Sequence, residues 1–439
     1  MNLNILQRFR HEVYGCFDRA ADALFNSVDA LLTEPQAQSF PELSLSPCFE
    51  RRWCSLYEAF EDGRIDQERL RRVFARYLLW PGTGDRMWLG LDATTSIERP
   101  ESKTAPDRTV VYKPNLPENS KPISYGWQFS TVVLLPAQPS SWTPVLDQQR
   151  IRSDQTSVQV AAAQLRELAP LLGCRPIVAT DRWYSCAPFL LLTEGLPFDK
   201  LLRLKRKRVL YRAAPAPTGK RGAPRKDGER LKSGNPSTYG EATGSWQGTD
   251  SNGHAVEVTW WTGLHLPKAR SIAVTVIRVL RKLATDRPRD PRESWFLWDG
   301  SCDACVPEVA LGYRRRYAHE HGYRFEKQAL LWAKPRLRTP AQFERWSQVV
   351  AIVHNQLVLA RPLVQAVLRP WETSQREAAP QQVRRAMAKI VAQLGTPARP
   401  PQPRGKSPGR PKGTLVRPAP RYQVVYKSTP GSKKRRKRA

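Results

Sequence analysis

Trp88-Leu-Gly-Leu-Asp-Ala-Thr-Thr95 and Ile177-Val-Ala-Thr-Asp-Arg-Trp-Tyr184 are the two stretches on which the fold turns. Each is a short run apolar on both faces that stops at an aspartate, Asp92 or Asp181. A run without alternation suits a strand covered on both sides, in the centre of a sheet. A carboxylate at the end of such a strand is costly to bury unless it meets a cation, a donor cluster or a metal. Taken singly, either aspartate reads equally well as a cap for the turn that follows.

Working outward, Met87–Ala93, Thr109–Tyr112 and Trp127–Leu135 read as three sequential strands, separated by Pro and Asn. Ser157–Leu172 has the period of an amphipathic helix and precedes the run Pro176–Ala179. Strands followed by helix, strand and helix give a mixed α/β pattern. Upstream, Phe17, Ala21, Leu24, Phe25 and Val28, and later Leu70, Val73, Phe74 and Tyr77, recur at helical spacing. Residues 1–82 therefore read as a helical domain ending at the Trp80-Pro81-Gly82 turn signal. Val256–Leu266, Ile272–Leu280 and Trp295–Trp298 are strand-like, and helical periodicity returns after Cys302 and runs to about Trp371. The Pro-rich, basic remainder is expected to be disordered.

The 439 residues carry a net charge of +31. Lys200–Lys232 accounts for +11 and Thr396–Ala439 for +14, so two stretches hold most of the excess and the rest is nearly balanced. Such a charge points to a polyanionic partner. Within the tail, Gly409-Arg-Pro-Lys-Gly413 has the form of an AT-hook core, which places Arg410 and Lys412 as candidate DNA contacts. The same residues read equally as a solvating basic tail. Lys433–Arg438 is read as non-specific phosphate binding. Seven scattered cysteines are not a disulfide framework, no apolar run reaches membrane length, and the expected setting is cytoplasmic. Cys302-x2-Cys305 lacks a second ligand pair, and no phosphate-binding Gly loop is present, so neither zinc nor ATP is expected.

Tyr313, Arg316, Glu320 and Lys327 are three, four and seven residues apart, offsets that return to one face of a helix. On its own the stripe reads as a solvated face laced with ion pairs. In context, Tyr313-Arg-Arg-Arg-Tyr-Ala-His-Glu-His-Gly-Tyr-Arg-Phe-Glu-Lys-Gln328 resembles the Tyr-x2-Arg-x3-Glu-x6-Lys signature of a large group of bacterial insertion-sequence transposases of the D-D-E type. The resemblance covers roughly residues 87–368 and follows the two aspartates in the order the group requires. It implies an RNase H-like catalytic core, here 83–210 and 301–372, interrupted by a basic linker and β-rich insertion at 211–300. The helical 1–82 would bind DNA and 373–439 would form the tail.

By the same resemblance Asp92, Asp181 and Glu320 are the catalytic acids and hold two Mg²⁺ or Mn²⁺ ions. Arg316 and Lys327 would contact phosphates, and Tyr313 the terminal nucleotide. Two divalent ions about 4 Å apart both activate the attacking oxygen and stabilise the leaving one. Glu326 is the rival third acid, but at helical pitch it points about 120° away from Glu320. The implied partners are the element's terminal repeats and target DNA, bound by a homodimer associated with the nucleoid. Two other readings stand beside this one: a non-catalytic DNA-binding descendant, and a structure-specific nuclease acting on DNA junctions. Trp260, Trp261 and Trp298 read as core, His354 as a core or capping group, and Asp299 as part of an Asp-Gly turn.

Overall fold

The structure is a computed structural model that describes residues 3–78, 86–99, 102–112, 123–138, 140–216, 223–282, 292–301, 305–364, 371–372, 378–402, 409–415 and 418–427. The Trp80-Pro81-Gly82 signal, Cys302 and Lys433–Arg438 lie outside the described residues.

Helices α1 (Leu3–Tyr14), α2 (Ala21–Thr33), α3 (Phe40–Leu43), α4 (Trp53–Asp62) and α5 (Gln67–Leu78) form the N-terminal part. A two-stranded ribbon, β1 (Phe17–Arg19) with β2 (Arg64–Ile65), ties it together. Phe17, expected on the helix, belongs to this ribbon; the chain turns at Ala20, whose φ of 55° stops a helix from running through.

The next strands are β3 (Trp88–Glu98), β4 (Thr109–Tyr112), β5 (Ile123–Leu134) and β6 (Val145–Ile151), followed by α6 (Ser157–Leu172), β7 (Ile177–Thr180), α7 (Ala187–Leu192) and β8 (Asp199–Arg203). β5 runs antiparallel to both β6 and β3, whereas β7 is parallel to β3 and β8 to β7. The order β6-β5-β3-β7-β8 is the RNase H-like arrangement, with β3 and β7 internal as their two-sided apolar runs predict. α6 starts where a capping box forms between Thr156 and Gln159 and ends at Gly173, which is left-handed at φ 61°.

β9 (Val209–Tyr211), β10 (Arg230–Lys232), β11 (Gly244–Thr249), β12 (Ala255–Leu266), β13 (Ala269–Lys282) and β14 (Arg292–Asp299) then extend the same sheet. β14 pairs antiparallel with β8, and β13 and β12 follow outward, giving a 12-stranded sheet. The insertion thus prolongs the core sheet instead of forming one of its own. Inside it, Tyr239, Trp261 and Trp295 pack with ring centroids 5.2–5.9 Å apart; of the three tryptophans read as core, Trp261 and Trp298 are buried and Trp260 is half-buried. Within the basic stretch 200–232, β8, β9 and β10 are likewise strands of the sheet. Lys200 is buried there because its ammonium meets Asp299 at 2.7 Å.

The chain closes with α8 (Val306–Gly312), a 3₁₀ turn at Tyr313–Arg316, α9 (Tyr317–Gln328), α10 (Pro340–Ala360) and α11 (Pro380–Leu394). α10 is buried nearly all round and joins the two halves of the molecule. Trp346 takes Phe40 and Phe60 at 4.9 and 5.5 Å on one side, and Phe343 takes Trp127 and Phe129 at 5.6 and 5.7 Å on the other.

The stretch after Glu372, expected to be disordered, is corrected over α11. Val383 and Met387 are buried, and the buried Arg384 donates to the carbonyls of Leu31, Glu34 and Ala329, groups a helix end leaves without internal partners. Further on, 418–427 lies along the sheet edge: Val425 bridges Thr109 in parallel, and the Tyr422 and Val425 amides donate to Lys103 and Arg108.

Candidate active site

Leu91 lies opposite Thr180 across the parallel pair β3–β7, so the next step along both chains sets Asp92 beside Asp181. Thr180 also lies opposite Leu202 of β8, which brings Arg203 to the same level. The C-terminal ends of three parallel strands therefore deliver acid, acid and cation in a row. Asp92 accepts from its neighbouring Ala93 amide at 2.9 Å, and Asp181 from the Trp183 amide at 2.8 Å. Capping and site-forming are compatible: one carboxylate oxygen of Asp181 braces the turn.

The third contribution comes from the break between α8 and α9. The continuous helix suggested by the spacing is in fact a helix, a 3₁₀ turn and a second helix, and the turn fans three arginines apart. Arg314 goes to Asp250 at 3.3 Å, Arg315 lies 5.3 Å over the Trp88 ring, and Arg316 points inward. Gly312 packs so closely on Trp88 that an added Cβ would come within 2.6 Å of the indole. Arg316 bridges the site, donating to Asp92 Oδ2 at 2.6 Å and to Glu320 Oε1 at 3.2 Å. Tyr313 donates its hydroxyl to the Thr180 carbonyl at 2.9 Å, one residue before Asp181. Tyr323 donates to the Asp92 carbonyl at 3.0 Å.

Charge follows from this packing. Burial pushes the Asp92 carboxyl up to about 6; Arg316 opposes the rise, and Asp181 and Glu320 add to it. Burial alone would lower Arg316, but Asp92, Tyr313, Asp181 and Glu320 together hold it above the ordinary guanidinium range. Burial also pushes Tyr313 up to about 12, so its hydroxyl remains a donor. Lys327, part-buried with its ammonium 5.6 Å from the Tyr323 ring, is lowered by burial against the pull of Glu326, Asp92 and Glu98.

Asp92, Asp181, Tyr313, Arg316 and Glu320 are thus brought together, with Lys327 behind them against Tyr323. Arg410 and Lys412 are exposed on 409–415 and belong to no part of this cluster. Glu326 does not reach the acids: it is buried with one oxygen 2.8 Å from His354 Nδ1. Three participants escaped the sequence reading, namely Arg203, Tyr323 and the buried Tyr184, which burial and the charges of Asp92 and Asp181 push well up. Tyr184 follows Asp181 by three residues and Tyr323 follows Glu320 by three, so the only sequence signal was local spacing.

Among the described residues no three His, Cys, Asp or Glu side chains stand together as a ready metal cluster. The Arg316 guanidinium stands between two of the acids, bonded to both Asp92 and Glu320. The donor set is nonetheless all carboxylate oxygen, and two of its members, Asp92 and Glu320, already share a cation, which fits a hard divalent ion.

The model of the DDE superfamily endonuclease family matches residues 12–267, more than half of the chain. The chain belongs to the DDE superfamily endonuclease family. The match takes in Asp92 and Asp181 and ends before Glu320. No curated protein matches the chain. Membership makes this a transposase-type nuclease with an RNase H-like fold. Among the described residues no helix is long and apolar enough to cross a membrane.

Proposed function

We propose that the protein is a transposase that cleaves DNA at the ends of an insertion sequence and transfers the cut strand to a target, with Asp92, Asp181 and Glu320 as the catalytic acids. The observation that carries this reading is the Arg316 bridge: one cation joins a strand-end aspartate to the helix-borne glutamate beside the second aspartate. Those three acids would hold two Mg²⁺ or Mn²⁺ ions, which when bound activate the attacking oxygen and neutralise charge on the phosphate.

The remaining work falls to the protein. Arg316 keeps two acids from repelling each other in the free enzyme, and its planar fork suits exchange of a carboxylate for a phosphate oxygen of DNA. Tyr313 fixes the 3₁₀ turn against the end of β7, from which α9 carries Glu320 to Arg316. The Tyr313 ring lies 4.7 Å from Phe296, and it would hold the terminal nucleotide. Lys327 offsets the charge of Asp92 from behind. Arg410 and Lys412 would contribute sequence-tolerant affinity for double-stranded DNA, and a homodimer would pair the two ends.

The test is incubation with DNA carrying the sequences that flank the gene, in Mg²⁺ or Mn²⁺, scoring double-strand breaks and joined products. Cleavage by the wild type and its loss in Asp92→Ala, Asp181→Ala and Glu320→Ala is the expected outcome. Retained cleavage in any one of the three overturns that residue's assignment.

A further inference from the structure

Next to Asp181 the molecule exposes a large aromatic surface for which the catalytic cluster has no use. Trp183, two residues on, is 62% exposed, and the ammonium of Lys205 lies 5.3 Å above its ring. Lys205 belongs to the turn joining β8 to β9, where Lys205, Arg206 and Lys207 are all exposed. That turn begins two residues after Arg203, which shares the level of Asp92 and Asp181. Arg203 and then Lys205–Lys207 thus place exposed cations outward from the level of the acids. Arg182, also exposed, stands on the other side of Trp183 in sequence. Among the described residues none of Arg182, Arg203, Lys205, Arg206 and Lys207 forms a salt bridge.

The turn is rigid. Ser233, fully buried, accepts from the Arg208 amide at 2.8 Å and donates to the Lys205 carbonyl at 3.2 Å. The Lys207 amide donates to the Ser233 carbonyl at 3.0 Å, and Lys207 is held at φ 71°, a strained value for a residue with a side chain. Arg208 reaches back to the Ser185 carbonyl at 2.8 Å, locking the turn to the loop that carries Trp183. An exposed indole beside cations that form no salt bridge matches the way proteins hold single-stranded nucleic acid, with bases on the ring and phosphates on the cations.

We infer that Trp183 and the turn Lys205–Lys207 form a binding surface for the unpaired DNA strand that leaves the catalytic acids, a base stacking on Trp183 and the backbone following Lys205, Arg206 and Lys207. The inference rests on the reading of the protein as a DNA-cutting enzyme and adds a strand site to it.

The experiment is fluorescence anisotropy in EDTA, using two fluorescein-labelled probes of mixed sequence: a blunt duplex, and the same duplex with a short single-stranded extension. The wild type should bind the extended probe more tightly. Trp183→Ala should weaken that binding by about 5- to 150-fold, the range for one base on one aromatic. Trp183→Phe should keep most of it, showing that the ring and not the fold is at issue. Arg206→Gln with Lys207→Gln should lower the slope of log affinity against log salt by about 1.4 on the extended probe, at about 0.7 per single-strand phosphate contact. Unchanged binding of the extended probe by Trp183→Ala, or an unchanged slope in the double variant, overturns this surface while leaving the nuclease reading intact. A wild type that binds neither probe at low salt overturns the DNA reading itself and the surface with it.

Discussion

Arg316 shows how one side chain can keep an acidic site folded until it is used. Asp92 is only 19% exposed on its side chain, and it tolerates this because the guanidinium 2.6 Å away supplies the counter-charge. The two glutamates of α9 divide the labour sharply. Glu320, 54% exposed, pairs with Arg316 at the surface, whereas Glu326 is sealed against His354. Glu320→Ala should therefore abolish cleavage while changing stability by no more than about 0.5 kcal/mol, as surface changes do. Glu326→Ala should cost about 1–3 kcal/mol in urea unfolding by leaving the buried His354 nitrogen without its hydrogen-bond partner. His319, buried with no partner on either ring nitrogen, makes the pH prediction. Burial, with Arg316 and His354 nearby, holds it well below the ordinary imidazole range, so the folded state refuses a proton that the unfolded chain accepts below about pH 6.5. Its contribution is present above that pH and is lost as pH falls, by up to about 1.4 kcal/mol per unit. Urea unfolding of wild type and His319→Leu above and below that pH should show the flatter dependence in the variant.

β3 and α9 are the elements whose contact sets the site. Gly90 allows it: a Cβ there would fall 2.8 Å from Leu135 and 3.1 Å from both His319 and Val133. Gly90→Ala should overpack this contact, costing about 1–3 kcal/mol in urea unfolding and lowering cleavage by shifting α9 against Asp92. Elements that pack through one periodic face were legible in the chain: α6 was read over its observed span, and β3, β7, β12 and β13 were recognisable from apolar runs. β6 was not, because Asp147-Gln-Gln-Arg150 looks like a loop. Its charged side chains meet partners distant in sequence: Arg71 of α5 and Gln164 of α6 reach Asp147, and Asp107 and Glu344 reach Arg150. The 3₁₀ turn at 313–316 was also invisible, since its residues fit a helical period and what bends them is the packing of Gly312 on Trp88.

At the scale of the whole molecule, α10 and α11 make the N-terminal helices and the sheet one cooperative body. The buried Arg10 on α1 pairs with the buried Asp29 on α2 at 2.8 Å and donates to the buried Gln356 of α10 and to the Gly395 carbonyl after α11. Truncation after Glu372 should therefore lower the thermal midpoint and expose the cores of α2 and α10. Truncation after Gln402 keeps α11 but removes the strand-edge segment 418–427, so it should lower the midpoint less than truncation after Glu372. It removes Arg410, Lys412 and the basic end, so DNA affinity and its salt dependence should fall, measured by anisotropy, while metal-dependent cleavage persists at low salt. The sequence by itself determined the fold class, the two strand-end aspartates and the candidate stripe from Tyr313 to Lys327, because strand hydrophobicity and helical period are local properties of the chain. Only the tertiary structure decided that Arg316 joins Asp92 to Glu320, that Glu326 is spent on His354, and that the basic stretch after β8 forms a rigid turn beside Asp181. Those are contacts between residues up to 224 positions apart, and nothing local in a chain records which distant charge a side chain will meet.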